Sequence, residues 1–183
     1  LDSMNRYAEL LSVVTYDRNL KPVSVKENKK GLYVFPLTTL PEAFEKKLIA
    51  KEDRFFFYHL GINPWSVARA LVHYVRTGVV GGSSTLTQQL AKNLLETESE
   101  RTVQNKIKEG FYTISLELFL SKKTILSMYA NTVFMGNQVQ GFETASDAYF
   151  DTSLTKATDN EQLSLLATLS HPSSRNPWKT GNA

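Results

Sequence analysis

Apolar residues recur at helical spacing along most of the chain, which predicts a mainly α-helical protein. One helix begins at Pro41, because the fixed φ of proline suits the first turn of a helix. Further helices are predicted to span 63–77, to begin after residue 84, and to span 102–120, 122–131, 137–150 and 160–170. In the helix after residue 84, Leu86, Leu90 and Leu94 have the four-residue spacing of a buried stripe.

The longest predicted helix has two faces of opposite character. Its apolar stripe, which we expect to face the core, consists of Val103, Ile107, Phe111, Ile114 and Leu118. Its polar stripe lies opposite and consists of Lys106, Glu109, Thr113 and Glu117. We therefore expect the polar stripe to face solvent or a ligand.

The residues before Pro41 follow a different pattern. Runs rich in β-branched and aromatic residues, at Val13-Val14-Thr15-Tyr16 and around Tyr33-Val34-Phe35, alternate with turn residues. This predicts a short, irregular β-containing N-terminal segment over residues 1–40, followed by one domain over residues 41–183. We find no internal repeat or linker-like stretch that would divide this domain.

The composition is that of a folded globular domain, with 42% hydrophobic and 21% charged residues among 183. The lack of cysteine excludes disulfides, thiolate metal sites and cysteine nucleophiles. A net charge of +3 suits an anionic partner, although it is also common in ordinary proteins. No run of 18 apolar residues is present, so we expect any membrane anchor to lie outside this chain.

Glu52 and Asp53 form the first candidate site, followed by Arg54, four aromatic residues and His59. Aromatic surface removes water from a neighbouring carboxylate, which favours the chemistry of a general base or acid. The alternative is a solvated acidic pair at a helix end, bonded to Arg54.

A glycine-rich turn, Gly81-Gly82-Ser83-Ser84, leads into the next candidate site. The free N–H groups and positive dipole of a helix N-terminus suit a phosphate or an oxyanion. Helical spacing aligns hydroxyl, amide and ammonium donors from Thr85, Gln88 or Gln89, and Lys92. The alternative is an ordinary surface helix capped by Ser84 or Thr85. The turn is not a P-loop, because it lacks the Gly-Lys-Ser/Thr ending.

Glu109 lies among cations on the polar stripe of the long helix, where a carboxylate can hold a metal or shape a diphosphate pocket. The alternative is an ion pair between Lys106 and Glu109 on a solvated surface. The histidines lack the paired spacing of metal ligands, so none is assigned to a metal. An apolar group, Trp65, Tyr74, Val75, Val79 and Val80, either touches a membrane or packs in the core, and core packing is favoured.

Five segments, taken together, resemble the motifs of glycosyltransferase family 51, the peptidoglycan glycosyltransferases of class A penicillin-binding proteins and their monofunctional relatives. They are Glu52-Asp53-Arg54-x-Phe56-x-x-His59-x-Gly61, then Gly82-Ser83-Ser84-Thr85-Leu86-Thr87-Gln88-Gln89-x-x-Lys92-Asn93, Asn105-Lys106-Ile107-Lys108-Glu109, Ile125-Leu126 with Tyr129-x-Asn131 and Gly136, and Leu165-Leu166-Ala167 with Pro172. They cover nearly everything from Leu40 to Trp178. Asn105 departs from the pattern, because the family usually has arginine there.

The resemblance implies a lysozyme-like fold with a larger head lobe and a smaller, membrane-associated jaw lobe. It implies an inverting enzyme that joins lipid II to a growing glycan strand at the outer face of the cell membrane. An N-terminal segment absent from this chain would anchor the protein, and other cell-wall synthesis proteins are possible partners. No nucleic acid is expected, because acids interrupt the cations throughout the long helix.

The resemblance also implies a role for each residue of the motifs. Glu52 would be the general base, and Glu109 would act at the diphosphate, directly or through a divalent cation such as Mg²⁺. Cations that offset the charge on the leaving group would be Lys92, Arg101 and Lys106. Residues that position sugar or phosphate oxygens would be Ser84, Thr87, Gln88 and Gln89. Asp53 would support the site and Arg54 would contact the ligand.

Two other functions remain open for these residues. A lysozyme-like lytic enzyme would cut glycan with a single acid, but it would need no diphosphate site such as Gln88, Gln89, Lys92 and Lys106 suggest. A catalytically silent glycan- or membrane-binding module is the other alternative. The presence of both Glu52 and Glu109 speaks against a silent module.

Overall fold

A computed structural model describes residues 2–18, 22–77, 84–95 and 103–180. In these ranges the chain is mainly helical, which confirms the predicted fold class, and it contains two antiparallel strand pairs. Its internal contacts divide it into two compact units, Leu1–Phe44 with Ser127–Ala183, and Glu45–Leu126. The predicted boundary between residues 40 and 41 stays a prediction, as do the head and jaw lobes.

The helices are α1 (Asp2–Glu9), α2 (Glu42–Glu52), α3 (Pro64–Thr77), α4 (Leu86–Leu95), α5 (Val103–Phe119), α6 (Lys122–Thr132), α7 (Phe142–Phe150), α8 (Asp159–Thr168), α9 (Pro172–Arg175) and α10 (Pro177–Thr180). Helices α2 to α8 lie close to the predicted ranges, whereas α1, α9 and α10 were not predicted. A 3₁₀ turn spans Phe56–Tyr58. The strands are β1 (Val13–Tyr16) paired with β2 (Pro22–Lys26), and β3 (Phe134–Gly136) paired with β4 (Val139–Gln140).

Two predictions about local structure are wrong. Helix α1 was not expected in the N-terminal segment, and residues 31–36 form no strand, although the β1–β2 pair confirms that this segment contains β-structure. The helix predicted over 137–150 begins only at Phe142, because β3 and β4 precede it. Asn137 and Gln138 take positive φ values of 47° and 62° in the turn between these strands.

Aromatic packing forms the core of the first unit. The rings of Phe44 and Phe142 lie edge to face with centroids 4.8 Å apart, and the ring of Tyr129 also contacts Phe142. The side-chain amide of Asn131 ties the N-terminal segment to α6, since it accepts from the Leu37 N–H and donates to Tyr7 Oη. Burial raises the pKa of Tyr149 to about 12, and its hydroxyl donates to the Met135 carbonyl.

The second unit is built on α4, whose apolar stripe is buried as predicted. Leu86, Leu90 and Leu94 are almost completely inaccessible, and Phe56 and Leu116 are buried in the same unit. Helix α5 packs against α4. The hydroxyl of Thr87 near the start of α4 donates to Glu117 near the end of α5. The two helices therefore run antiparallel.

The predicted orientation of α5 is wrong, because its polar stripe is buried apart from Lys106 and the described part of its apolar stripe is exposed. Phe111 and Leu118 are 71% and 70% exposed, and Ile107 and Ile114 are also exposed. The side chain of Val103 lies outside the described part of the structure. On the opposite face, the buried residues are Glu109, Thr113 and the side chain of Glu117.

The polar side chains on the buried face of α5 have hydrogen-bond partners within the protein. Thr113 Oγ1 donates to the Glu109 carbonyl, and the Glu117 carboxylate accepts from Thr87 and Lys122. Hydrogen bonds of this kind offset the cost of removing polar groups from water. Helix periodicity identified the two faces correctly, but the prediction of which face is buried was wrong.

The expectation of core packing is also wrong for two residues of α3. Trp65 and Val75 are 75% and 77% exposed, whereas the side chain of Tyr74 and all of Val79 and Val80 lie outside the described residues. Among the helices of the described ranges, none is long and apolar enough to cross a membrane.

Candidate active site

Glu52 ends α2, and its carboxylate lies against the start of α4. Gln89 Nε2 donates to Glu52 Oε2 at 3.3 Å and also to the Ser84 carbonyl at 3.3 Å. Lys51 Nζ lies 2.8 Å from Glu52 Oε1, and the Glu52 side chain is 18% exposed. The structure therefore brings the acidic motif and the helix after the glycine-rich turn into direct contact.

Asp53 is buried and its carboxylate is fully engaged inside the protein. Both of its oxygens lie 3.0 Å from His59 Nε2, and Oδ2 accepts from the Leu86 N–H at 3.1 Å. Because the Gly61 N–H donates to His59 Nδ1, the ring proton belongs on Nε2, where it is donated to Asp53. Asp53 thus orients the loop that follows Glu52.

Thr85 caps α4, which is the alternative that the sequence left open for this turn. Its hydroxyl accepts from the Gln88 N–H, while Gln88 Oε1 accepts from the Thr85 N–H at 3.0 Å. This reciprocal pair is a capping box. Thr85 Oγ1 also donates to the Gly61 carbonyl at 2.6 Å. The cap therefore holds the loop over residues 53–61, which we call the acidic loop. The turn residues Gly81, Gly82 and Ser83 lie outside the described residues.

Gly61 allows the acidic loop to approach α5 closely. Its φ is +80°, and an added Cβ would lie 2.5 Å from Thr113 Cγ2 and 3.0 Å from Glu117 Cγ. Only glycine fits this contact without displacement of the loop. The end of the first motif therefore rests directly on the buried face of α5.

The structure does not bring every predicted residue to an accessible position. Thr87 has no exposed surface and donates its hydroxyl to Glu117, so this geometry gives it a supporting place in the packing and no access to a substrate oxygen. Ser84, Gln88 and Lys92 are partly exposed and Arg54 is exposed. Arg101 lies outside the described residues.

Glu109 and Lys106 form the ion pair that was the alternative for this part of α5. Lys106 Nζ lies 3.0 Å from Glu109 Oε2, with the glutamate side chain 10% exposed and the lysine 63% exposed. The pair does not exclude a role at an anion, because the ammonium group remains largely open to solvent.

Helical rise relates the backbone positions that carry the two candidate carboxylates. From Glu117, which meets Thr87, Glu109 is eight residues back along α5, a rise of about 12 Å. The same rise along antiparallel α4 leads from Thr87 to about Leu95, whereas Glu52 contacts Gln89 on that helix. The backbone levels of Gln89 and Glu109 therefore differ by about two turns of α4.

Protein ligands alone offer no complete metal site in the part of the chain that the structure describes. No group of three or more His, Asp or Glu side chains there could hold a metal ion. Mg²⁺ is commonly held by one or two carboxylates together with substrate phosphates and water. A single carboxylate such as that of Glu109 is compatible with this kind of site.

Sequence reasoning overlooked residues that connect these motifs. Lys122 Nζ bonds the Glu117 carboxylate at 2.8 Å and the His59 carbonyl at 2.6 Å, and it lies 4.5 Å from the centre of the Phe56 ring. The spacing of Glu117 and Lys122 across a helix boundary gave no signal in the sequence pattern. His59 was placed in the first motif but was given no partner, although its separation from Asp53 suits a bond across one tight loop.

The comparison with protein families decides the class of this domain. A profile described as "Transglycosylase" matches residues 19–183. The chain belongs to the transglycosylase family. This confirms the resemblance, and with it the predicted class of domain, a glycosyltransferase of peptidoglycan synthesis.

Relatives in the transglycosylase family include several penicillin-binding proteins. The chain is 35% identical to penicillin-binding protein 1B of Haemophilus influenzae, over 97% of this chain and 24% of that protein. It is 38% identical to penicillin-binding protein 1A of Aquifex aeolicus, over 82% of this chain and 20% of that protein. It is also 38% identical to penicillin-binding protein 2a of Streptococcus pneumoniae, over 88% and 22% respectively. The chain thus spans about a quarter or less of the length of these relatives.

Proposed function

We propose that this chain polymerises lipid II into β-1,4-linked glycan, with inversion at the anomeric carbon and release of a polyprenyl diphosphate. One observation carries the proposal. The Glu52 carboxylate, at the end of the acidic motif, is held by Gln89 from the helix after the glycine-rich turn. A candidate base and an amide donor from the next motif are therefore in contact in a domain of the transglycosylase family.

The reaction assigns a distinct task to each end of this arrangement. Glu52 accepts the proton of the acceptor's 4-hydroxyl group while that oxygen forms a bond to the anomeric carbon of the lipid-linked strand. The bond from the anomeric carbon to the diphosphate oxygen breaks on the opposite face, and its electron pair leaves with the diphosphate. Cations from Lys92, Arg101 and Lys106 would offset the charge on that leaving group, while Gln88, Gln89 and Ser84 would position sugar or phosphate oxygens.

Glu109 would act at the diphosphate end of the same site. Its pairing with Lys106 at 3.0 Å keeps a carboxylate and an ammonium together. The carboxylate suits a metal cation, and the ammonium suits the diphosphate. Mg²⁺ held between Glu109 and the diphosphate would supply further positive charge to the leaving group.

We propose that the protein works at the outer face of the cell membrane. The exposed apolar stripe of α5, with Phe111 and Leu118, and the exposed Trp65 of α3 suit contact with lipid. A substrate with a polyprenyl tail requires such a location. Its partners are then the growing strand, the membrane and other proteins of cell-wall synthesis.

Polymerisation of lipid II by the protein, followed by separation of the glycan products, tests this function. Glu52→Gln should lower the rate at least about a hundredfold, because the amide cannot accept the proton. Glu42→Gln, the same change at the exposed start of α2, is the control and should retain activity. Polymer formation by Glu52→Gln at the rate of the unaltered protein would refute the role of Glu52. Cleavage of preformed glycan without polymerisation would favour the lytic alternative.

A further inference from the structure

A closed ring of hydrogen bonds joins the acidic loop to the ends of three helices. Asp53 bonds His59 Nε2 at 3.0 Å, and the His59 carbonyl accepts from Lys122 Nζ at 2.6 Å. Lys122 Nζ bonds Glu117 Oε1 at 2.8 Å, and Thr87 donates to the same oxygen. The N–H of Leu86, the residue before Thr87, returns to Asp53 at 3.1 Å. We call this the positioning ring, and its members are Asp53, His59, Lys122, Glu117, Thr87 and Leu86.

The ionisable members of the positioning ring are largely removed from water. The side chains of Glu117 and Lys122 are 3% and 18% exposed, and those of Asp53 and His59 are 2% and 6% exposed. A buried ion pair gains little net stability over apolar residues of the same size, since desolvation offsets the attraction. Its directional bonds do fix the relative positions of the elements that carry it.

The elements that the positioning ring holds are those that carry the proposed base. Glu52 immediately precedes Asp53, and Gln89, which bonds the Glu52 carboxylate, lies one turn after Leu86 on α4. Loss of Lys122 would free the His59 carbonyl, and loss of Glu117 would free the Thr87 hydroxyl, so either change opens the ring. The acidic loop and α4 would then be held together by fewer bonds, and the distance between Glu52 and Gln89 would vary more.

We infer that Glu117 and Lys122 are positioning residues for glycosyl transfer, acting through the ring to hold Glu52 in its reactive geometry. The inference rests on the proposed function. It gives Lys122 a task separate from the cations of the diphosphate site, because its ammonium is occupied within the protein. The expected signature is a lower kcat with an unchanged KM, since substrate contacts stay intact while the base is misplaced.

A neighbouring ion pair, whose lysine is more exposed than Lys122, provides a control. Lys123 is adjacent to Lys122, pairs with Glu45 of α2 and lies 5.7 Å from the centre of the Phe57 ring. This second pair therefore shares residue types, helix and aromatic contact with the first. It does not belong to the positioning ring.

The experiment compares Lys122→Met with Lys123→Met in the protein, by kcat and KM for lipid II and by exchange of the Leu86 amide hydrogen. Lys122→Met should lower kcat about tenfold or more, with KM within about twofold, and should speed exchange at Leu86. Lys123→Met should leave both near their original values. Lys122→Arg, which restores a cation beside Glu117, should recover much of kcat.

If Lys122→Met fails to fold, Glu117→Gln takes its place, because it keeps the shape and removes the charge. A fall in kcat should again appear without a change in KM. Equal kcat values for Lys122→Met and Lys123→Met, or a rise in KM alone, would overturn the inference while the proposed function stands. Absence of polymer from the unaltered protein would refute the proposed function and the inference with it.

Discussion

Helices α4 and α5 pack against each other, yet α4 buries mainly apolar side chains and α5 buries mainly polar ones. Helix α4 buries its leucines, as an amphipathic helix usually does, whereas α5 buries Glu109, Thr113 and Glu117 and exposes Phe111 and Leu118. The polar atoms buried by α5 serve as connections to other elements. The difference shows that α4 contributes apolar packing to this unit. One face of α5 fixes the positions of neighbouring elements through polar contacts, and its other face presents an apolar surface.

The largest effect should come from the packing of α4. Leu90→Ala should lower the free energy of unfolding by about 3 kcal/mol, because it removes a completely buried side chain and leaves a cavity. Leu118→Ala on the exposed face of α5 is the control and should change it by about 0.5 kcal/mol or less. Chemical denaturation measures both values. Similar losses for the two variants would contradict the difference between the helices.

A smaller loss is expected on the buried face of α5. Glu117→Leu should cost about 2 kcal/mol, because it leaves Lys122 without its carboxylate in a nearly dry place. The double variant Glu117→Leu with Lys122→Leu should regain part of that stability, since no charge is then left unpaired. Denaturation of both variants checks this. A double variant less stable than Glu117→Leu would mean that the pair contributes mainly to stability.

The smallest change in stability should come from the exposed face of α5. Phe111→Ser should alter the free energy of unfolding by about 0.5 kcal/mol or less. Binding to lipid vesicles should weaken about fivefold, because an apolar group is no longer buried at the lipid surface. Gln104→Ser, an exposed polar change on the same helix, is the control. Vesicle binding unaffected by Phe111→Ser would separate this face from the membrane.

Helix positions were predictable because apolar spacing repeats over long stretches of this chain. The pattern placed α4 and α5 within a few residues of their observed bounds. It could not choose between the two faces of α5, because burial of Glu117 depends on Lys122 and Thr87, which approach it through the tertiary fold. The strands β3 and β4 are too short for periodicity to reveal, although Gly136-Asn137 at the end of β3 is a turn signal.

The candidate site was predictable in its parts and less so in their connections. The motifs identified Glu52, Gln89 and Glu109, and the structure supplies the contact between the first two. That Thr87 lies inside the packing, and that His59 and Lys122 hold the loop, follows from contacts between residues up to 63 positions apart. Such contacts leave no periodic trace in the sequence.

The absence of a side chain at Gly61 sets the clearance between a loop and a helix. A Cβ atom at residue 61 would lie only 2.5 Å from Thr113 Cγ2, which is too close for any residue other than glycine. A single alanine there would force the segment that begins with Glu52 away from α5, so the missing side chain at Gly61 is what keeps this loop and this helix in contact.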